Sequence, residues 1–177
     1  MPDDYRVARL HPDKPRPAFD CGDADLNEFF RADSIEACRQ LLAVTYALFY
    51  GGEVIAYYCV SNDSIREDLT SRSRFKKLQQ LILSREKRYR SMPAVKIGRF
   101  AVAQHRAGNG IGSKLMSAIK YDFIHGNKTE CRFIVVDAYN KPEVIGFYSK
   151  NAFDFLTLEN ENDKTRLMFF DLFSFSE

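Results

Sequence analysis

A glycine-rich turn between an apolar run and a helical pattern constrains this chain more than any other feature. Residues 97–116 read IGRFAVAQHRAGNGIGSKLM, so a run typical of a buried strand passes through Gly108, Gly110 and Gly112 directly into a helix. The first turn of a helix has backbone N–H groups without intrahelical partners, and its dipole favours negative charge. Glycines let the backbone approach a bound anion closely. The stretch therefore predicts a phosphate-binding site.

A second pattern specifies part of the sheet earlier in the chain, where two β-rich runs flank Gly51-Gly52. The runs read VTYALFY and EVIAYYCVS, and two such runs about a Gly-Gly pair predict an antiparallel hairpin. The glycine-rich turn is instead followed by a helix and by the apolar run CRFIVVDA at 131–138. This strand-helix-strand order predicts a parallel pair with a right-handed crossover. We therefore expect an α/β fold with a single mixed, mostly antiparallel twisted sheet.

Caps and hydrophobic periodicity predict the remaining elements. Asp23 or Asp25 is placed to cap a helix that puts Leu26, Phe29 and Phe30 on one face. Further helices are predicted over 33–42, 110–124 and 142–150, and further strands over 5–10, 95–103, 153–158 and 166–173. With the hairpin and the run at 131–138, the expected sheet has six to seven strands flanked by helices.

Composition limits the kind of protein. The 177 residues suit one domain over 1–177, and a formal net charge of +2 indicates no particular partner. The four cysteines have no CxxC spacing and no histidine cluster, which predicts reduced thiols without a metal or disulfide framework. No apolar run reaches the length of a membrane span, and the start MPDDYRVARL lacks the features of a signal peptide. We therefore expect a cytoplasmic protein with no membrane partner and no metal.

Residues 71–90 form a strongly basic segment. Phe75, Leu78 and Ile82 recur at helical spacing, while eight other residues are Lys or Arg and one is Glu. One interpretation is a basic helical insertion that lies solvated on the surface. The other is an electropositive patch that faces a phosphate-rich ligand. The sequence leaves both interpretations open.

Two well-known phosphate-binding loops fit the glycine-rich turn poorly. A P-loop requires Gly-Lys followed by Ser or Thr, whereas Gly112 is followed by Ser113-Lys114 in the inverted order. A dinucleotide-binding fingerprint requires GxGxxG, whereas Gly108, Gly110 and Gly112 give only GxGxG. The antiparallel hairpin upstream also argues against a doubly wound sheet. Both loop families are therefore disfavoured.

The stretches GRFAV, RAGNGIGSKLM and FYSKNAF together resemble the GNAT (Gcn5-related N-acetyltransferase) superfamily, over nearly the whole chain. The resemblance implies a GNAT-like sheet with a splayed central parallel strand pair, and acetyl-CoA as the acetyl donor. It also implies that backbone groups of Phe100, Ala101 and Val102 hold the acetyl carbonyl and the pantetheine arm. The pyrophosphate would be held by the turn and helix start, which comprise Arg106, Ala107, Gly108, Asn109, Gly110, Ile111, Gly112 and Ser113.

The stretch GFYSKNAF supplies the expected catalytic residue. Tyr148 matches the tyrosine of the family's Tyr-x-x-x-Gly-Phe ending, and the resemblance implies that it protonates the leaving thiolate. The alternative is that Tyr148 only packs beside Phe147. Ala152 takes the place of the family's glycine, and Asn151 is expected to supply the tight helix end. Asn140 is similar to an asparagine upstream of this tyrosine in the family, so we expect it at the cofactor.

The N-terminal half is similar to one branch of the superfamily, the toxins that acetylate aminoacyl-tRNA. The branch pattern is Phe-x-Cys/Ser-Gly, Leu-x-x-Phe/Trp, Ile-x-Tyr-Tyr and Gly-Arg-Leu-Ala-Val in chain order. The matching residues are Phe19, Cys21, Gly22, Leu26, Phe29, Ile55, Tyr57, Tyr58 and 98–102, with Phe100 in place of Leu. The basic segment 71–90 fits such a substrate, since RNA binding rests largely on neutralising phosphates.

Taken with the resemblance, these patterns predict an acetyl-CoA-dependent N-acetyltransferase. The acetyl group moves to a primary amine by direct attack on the thioester, and the unidentified acceptor is a small molecule, a protein or an aminoacyl-tRNA. Acetylation of aminoacyl-tRNA by a toxin is the specific alternative. A second alternative is a module that binds acyl-CoA or nucleic acid without catalysis. A homodimer is also open, and an antitoxin partner is expected only if the chain is a toxin.

Overall fold

The computed structural model describes residues 4–82, 89–127, 129–157 and 161–175. Its strands are β1 (Tyr5–Arg9), β2 (Val44–Tyr50), β3 (Glu53–Arg66), β4 (Ser91–Val102), β5 (Phe133–Tyr139), β6 (Asp154–Phe155) and β7 (Thr165–Asp171). Its α-helices are α1 (Ala24–Glu28), α2 (Ser34–Arg39), α3 (Arg72–Ile82), α4 (Ile111–His125) and α5 (Pro142–Lys150). A π-helical turn (Phe29–Asp33) joins α1 to α2, and 3-10 turns cover Glu67–Leu69, Gln104–Arg106 and Leu172–Phe175.

The strands belong to one sheet, in the order β1-β2-β3-β4-β5-β7-β6. The pairs β1–β2, β2–β3, β5–β7 and β6–β7 are antiparallel, whereas β4 and β5 form the parallel pair. A parallel pair needs a crossover connection, and α4 lies in the connection between these two strands. The α/β fold with a mixed, mostly antiparallel sheet and a parallel pair is therefore confirmed.

The chain forms two compact units. The first joins the residues up to Ser61 with Ile97–Ala118, and the second joins Asn62–Lys96 with the residues from Ile119 onward. Strands β3 and β4 and helix α4 each contribute to both units. The single domain expected over 1–177 stays a prediction.

The first unit contains the predicted hairpin of β2 and β3. Gly51 and Gly52 have φ of +57° and +86°, and the favoured two-residue hairpin turn requires positive φ at both positions. Tyr57 of β3 is fully buried. Its ring centroid lies 6.4 Å from that of Phe29 and 4.8 Å from that of Phe30. The aromatic face predicted for the N-terminal helical segment therefore packs against the hairpin.

The second unit contains an amphipathic helix from the basic segment. Helix α3 covers the first part of the predicted 71–90 helix, residues 83–88 lie outside the described residues, and the chain is no longer helical just before β4. Phe75 and Leu78 are buried in a hydrophobic cluster that includes Phe133 of β5. The apolar spacing read from the sequence therefore does mark the buried face of this helix.

Several elements have boundaries that differ from the predictions. Strand β6 covers only Asp154–Phe155 of the predicted 153–158, of which residue 158 lies outside the described residues, and β7 ends at Asp171 and not at 173. Strand β3 continues to Arg66, beyond the predicted run.

Strand β4 begins at Ser91, earlier than the predicted start at 95, and runs through Pro93. Proline has no backbone N–H to donate, but its carbonyl can still accept a hydrogen bond. The Pro93 carbonyl accepts one of 3.1 Å from the Arg132 N–H. Helix α2 ends at Arg39, short of the predicted end at 42, because Leu41 adopts a left-handed φ of +59°.

The four cysteines, Cys21, Cys38, Cys59 and Cys131, are free thiols. Burial raises the pKa of Cys21, of Cys59 and, to about 11, of Cys131, so these thiols are weak nucleophiles at neutral pH. In the described ranges, no group of three His, Cys, Asp or Glu side chains is placed to hold a metal ion. Across the same ranges, no helix has both the length and the apolar character needed to cross a bilayer.

Candidate cofactor site

Two backbone hydrogen bonds fix the start of the glycine-rich turn in the first unit. Strand β4 ends at Val102, and the next residue, Ala103, donates its N–H to the Ile55 carbonyl at 2.9 Å. The Gln104 N–H donates to the Asp20 carbonyl, also at 2.9 Å. The turn therefore leaves the sheet from a position held by β3 and by the segment that precedes α1.

Two glycines give the turn its shape. Gly108 and Gly110 have φ of +79° and +73°, a left-handed conformation that strains residues with a Cβ. A Cβ added at either position meets no heavy atom within 4 Å, so the backbone conformation and not a lack of space requires glycine. Residues 107–110 are all exposed. The backbone of the turn is therefore open to a ligand.

Helix α4 begins directly after the turn and presents its positive end there. The helix is 15 residues long, and its first turn contains no acidic residue. The Lys114 N–H donates to the Gly110 carbonyl at 3.1 Å, which is the i to i−4 bond of a helix. The N–H groups of the residues before Lys114 belong to the first turn, where a helix offers them no carbonyl partner. Such a helix start attracts anions. The strand, turn and helix lie where the sequence predicts them and suit a phosphate group.

The residues expected to hold the acetyl carbonyl and the pantetheine arm lie at the end of β4. Ala101 is buried in the hydrophobic cluster of the first unit, whereas Phe100 and Val102 are half-buried. Successive side chains of a strand point to opposite faces, so Phe100 and Val102 share one face and Ala101 faces the other. The expected contacts involve backbone groups of these residues and stay a prediction.

Glu53, at the start of β3, contacts the side chains of His105 and Arg106, which precede the glycines of the turn. One Glu53 carboxylate oxygen lies 3.0 Å from His105 Nε2, and the other lies 3.8 Å from an Arg106 terminal nitrogen. The Arg106 guanidinium also lies 5.4 Å from the ring centroid of Tyr50, and its buried Nε has no hydrogen-bond partner. Arg106 therefore packs on the hairpin with part of its donor capacity unused.

Tyr148, the expected catalytic residue, lies on α5 in the second unit. Its side chain is buried, at 8% exposure. The ring packs edge-on against Phe147 and Phe153, at centroid distances of 5.2 and 5.3 Å. Burial raises the pKa of the Tyr148 phenol far above its ordinary value. The phenol is therefore protonated at neutral pH, and burial makes it a weaker acid than an exposed tyrosine.

Asn140, expected at the cofactor, follows β5. Its side-chain amide donates to the carbonyls of Glu161 and Asp163 at 2.9 and 3.0 Å, and its backbone N–H donates to Lys164 at 2.9 Å. These bonds connect the end of β5 to the segment before β7. Asn140 thus stabilises the segment before β7 against the end of β5. Its contact with the cofactor stays a prediction.

The end of helix α5 differs from the prediction. Asn151 was expected to supply the tight helix end, but it is the C-cap residue with φ of −94°, and Ala152 adopts the left-handed conformation with φ of +62°. The position that requires a positive φ is therefore the one where the family has glycine. Asn151 instead bonds back into the helix, through its side-chain amide to the Phe147 carbonyl at 2.8 Å.

The predicted site residues fall into two groups. Phe100–Val102 and the turn residues 106–113 lie in the first unit, where one continuous segment brings them together. Asn140 and Tyr148 lie in the second unit.

Two residues close to the predicted ones belong to no motif: Glu53, which contacts Arg106, and Lys120, which contacts Asn151 at the end of the helix that carries Tyr148. Glu53 gives no sequence signal because its partners His105 and Arg106 are distant in the chain. Lys120 does give a signal, since it lies four residues after Met116 and thus falls on the apolar face of a helix. A lysine in that register is rare unless its ammonium has a specific environment.

Comparison with protein-family models gives no match, and comparison with curated proteins gives none either. Among solved structures, a tyrosine-to-phenylalanine mutant of KacT shares 20% identity over 98% of both chains, with a TM-score of 0.78. AtaT complexed with acetyl-methionyl-tRNAfMet shares 24% identity over 98% of both chains, with a TM-score of 0.73. A mutant AtaT toxin bound to the C-terminus of the antitoxin AtaR and to acetyl-CoA shares 22% identity, with a TM-score of 0.71; the match covers 97% of this chain and 96% of AtaT.

These likenesses extend over almost the whole chain and establish its fold. The protein has the fold of the GNAT acetyltransferases, as the resemblance in its sequence implied. The structures described above are of KacT and of AtaT, and AtaT is described there as a toxin.

Proposed function

We propose that this protein is an acetyl-CoA-dependent N-acetyltransferase whose acceptor is the amino group of an aminoacyl-tRNA. The observation that supports this most strongly is the likeness, over 98% of the chain, to AtaT complexed with acetyl-methionyl-tRNAfMet. It favours the aminoacyl-tRNA alternative over the general primary amine that the sequence put first.

The glycine-rich turn fits the pyrophosphate of acetyl-CoA. Gly108 and Gly110 keep an exposed backbone at the positive end of α4, and Arg106 adds a cation to the same segment. Backbone groups of residues 100–102 would bind the acetyl carbonyl and the pantetheine arm. When bound, acetyl-CoA supplies an acetyl group activated as a thioester.

Tyr148 is the proposed proton donor. In the transfer, a bond forms between the acceptor nitrogen and the acetyl carbon, and the carbon–sulfur bond breaks. The proton on Tyr148 Oη goes to the departing sulfur, and the phenol regains a proton from water. The acceptor amine reacts in its neutral form, because its free electron pair forms the new bond, and it releases its surplus proton to water.

Exposed cations of the second unit suit the phosphates of tRNA. Arg72, Lys76 and Lys77 are exposed on α3, whereas Phe75 and Leu78 are buried. Both interpretations of the segment require this exposure; the proposed function uses the electropositive patch, since neutralisation of phosphates supplies much of the affinity for RNA.

The N-terminal end of α3, at Arg72, borders a cleft that contains three arginines. The cleft has a volume of about 550 Å³, and its lining includes three cations (Arg66, Arg72 and Arg90) and two acids (Glu67 and Asp68). Arg66 is paired with Asp68 at 2.6 Å, which leaves Arg72 and Arg90 as the cations best placed for a phosphate strand. We therefore assign this part of the second unit to the RNA.

The test is acetyl transfer from labelled acetyl-CoA to a panel of charged tRNAs. The purified protein is incubated with each charged tRNA, with the same tRNA uncharged and with the free amino acid. We expect label only in one or more charged tRNAs, and a large loss of turnover in Tyr148→Phe with little change in acetyl-CoA affinity. Equal labelling of charged and uncharged tRNA would contradict the aminoacyl acceptor, and small amines that react faster would restore the general-amine interpretation.

An antitoxin partner is part of the same proposal, because AtaT binds the C-terminus of AtaR. We expect expression of the unmodified chain to arrest bacterial growth and expression of Tyr148→Phe to permit it. Arrest that persists in Tyr148→Phe would show that acetyl transfer is not the cause. Light scattering of the purified protein would decide the homodimer, which stays a prediction.

A further inference from the structure

We propose that Lys120 is a positioning residue for Tyr148, because its ammonium group binds the end of the helix that carries the tyrosine. Lys120 belongs to α4 and Tyr148 to α5, and both lie in the second unit. The inference rests on the proposed function, in which Tyr148 is the proton donor. It adds a residue that no motif of the sequence assigns to the site.

The Lys120 side chain is enclosed by aromatic rings. Its exposure is 4%. The ammonium nitrogen lies 3.5 Å from the ring centroid of Phe170, 5.2 Å from that of Phe153 and 5.6 Å from that of Phe175. A cation over aromatic faces is attracted to the electron-rich rings, and more strongly so when it is desolvated. The rings thus hold the ammonium in one place.

The ammonium donates a hydrogen bond to the backbone carbonyl of Asn151, the C-cap of α5. Carbonyls at a helix end have no intrahelical donor, so a cation there is a favourable partner. The Asn151 N–H in turn donates to the Tyr148 carbonyl at 3.0 Å. Lys120 is therefore two hydrogen bonds away from the backbone of the proposed proton donor.

A second path leads from Lys120 to the ring of Tyr148. Phe153, which borders the ammonium, packs edge-on against Tyr148 and donates its backbone N–H to the Tyr148 carbonyl at 3.0 Å. Both the backbone and the ring of Tyr148 thus rest on groups that Lys120 contacts. A small displacement of a catalytic group lowers turnover strongly, so loss of this support is expected to reach the chemistry.

Burial of an ammonium is costly, which makes its hydrogen bond informative. Burial lowers the pKa of Lys120 to about 8, and the contacts of its ammonium described above are with phenyl rings and a carbonyl, which do not titrate. A methionine would fill similar space at a lower desolvation cost, but it could not bind the Asn151 carbonyl. Lys120→Met therefore separates the filling of space from the binding of the helix end.

The experiment compares Lys120→Met with Lys150→Met in the acetyl-transfer assay. Lys150 is an exposed lysine on α5 and serves as the matched control. We expect Lys120→Met to lower kcat about 10-fold, with KM for acetyl-CoA within about 2-fold of the unmodified protein, and Lys150→Met to change neither. In a Tyr148→Phe background, Lys120→Met should cause no further loss of kcat. Equal losses of kcat with and without Tyr148 would overturn the inference.

A readout independent of activity separates this inference from the proposed function. With ¹³C-labelled tyrosine, the ring signal of Tyr148 should move in Lys120→Met and stay in place in Lys150→Met. If the protein transfers no acetyl group, the proposed function fails while this signal still decides the positioning role. If Lys120→Met does not fold, the unmodified protein carries the test: the Tyr148 signal should shift as Lys120 titrates near pH 8. A Tyr148 signal that stays fixed through that titration would overturn the inference.

Discussion

The Glu53 carboxylate lies 3.8 Å from a terminal nitrogen of Arg106, the cation that precedes the exposed glycines. Glu53 and Arg106 are both half-exposed, so the attraction between them is weak and screened by salt. The carboxylate nevertheless places a negative charge beside the segment to which we assign the pyrophosphate.

We expect Glu53→Gln to tighten acetyl-CoA binding. The substitution removes the negative charge and releases the Arg106 guanidinium toward a phosphate, so the dissociation constant should fall about 2- to 5-fold at low salt. Arg106→Gln should raise the dissociation constant, because it removes the cation. Isothermal titration with acetyl-CoA measures both. Changes in the same direction for the two variants would show that Glu53 does not compete for Arg106.

We expect Ala152→Gly to stabilise the protein. Ala152 is exposed and holds a φ of +62°, which glycine adopts without the strain that a Cβ causes. The free energy of unfolding should rise by about 0.5–1 kcal/mol, after allowance for the greater freedom of glycine in the unfolded chain. Urea unfolding measures the change. Ala107→Gly is the control, since Ala107 is exposed with φ of −60° and should lose a little stability.

Stability should rise with pH above about 8 because of Lys120. The pKa of Lys120 is about 8 in the folded protein and 10.5 as the ordinary value, so between these values the unfolded chain binds more protons. Unfolding then costs more as the pH rises, by at most ~1.4 kcal/mol per pH unit, and below pH 8 the dependence vanishes. The measurement is the difference in unfolding free energy between the unmodified protein and Lys120→Met from pH 7 to 10. A difference that is constant over this range would contradict the lowered pKa.

The arginine cleft should affect the RNA and not the cofactor. We expect Arg72→Gln with Arg90→Gln to raise KM for aminoacyl-tRNA several-fold at physiological salt, while KM for acetyl-CoA stays the same. The slope of log affinity against log salt should fall by about one per lost phosphate contact. Arg31→Gln is the control, because Arg31 is paired with Glu28 in the first unit. An unchanged KM for tRNA would place the RNA elsewhere.

Local signals in the sequence predict much of the fold. The Gly51-Gly52 pair sets the hairpin, and the helix predicted over 142–150 has those bounds in the structure. Both depend on residues that act on their immediate neighbours: glycines that permit positive φ, and Pro142, which suits a first helical turn. The strand, glycine-rich turn and helix start are predicted for the same reason.

What the sequence does not predict are contacts between distant segments. The ion pair of Glu53 with Arg106 and the hydrogen bond of Lys120 to Asn151 connect residues far apart in the chain. No local preference encodes such contacts. The left-handed residue at the end of α5 is a different case. Asn151 has the better intrinsic propensity for that conformation, yet its side chain bonds to the Phe147 carbonyl and it is the next residue, Ala152, that has the positive φ.

Helix α3 is held firmly under its exposed cations. Arg74, in the same helix, donates through Nε to the Phe155 carbonyl at 3.0 Å and pairs with Asp154 at 2.6 Å, and Phe75 and Leu78 are buried in the hydrophobic cluster. An RNA strand that binds Arg72, Lys76 and Lys77 therefore meets charges already spaced by a folded helix. Binding to such a helix costs little conformational entropy, whereas a basic tail that folds as it binds loses much more.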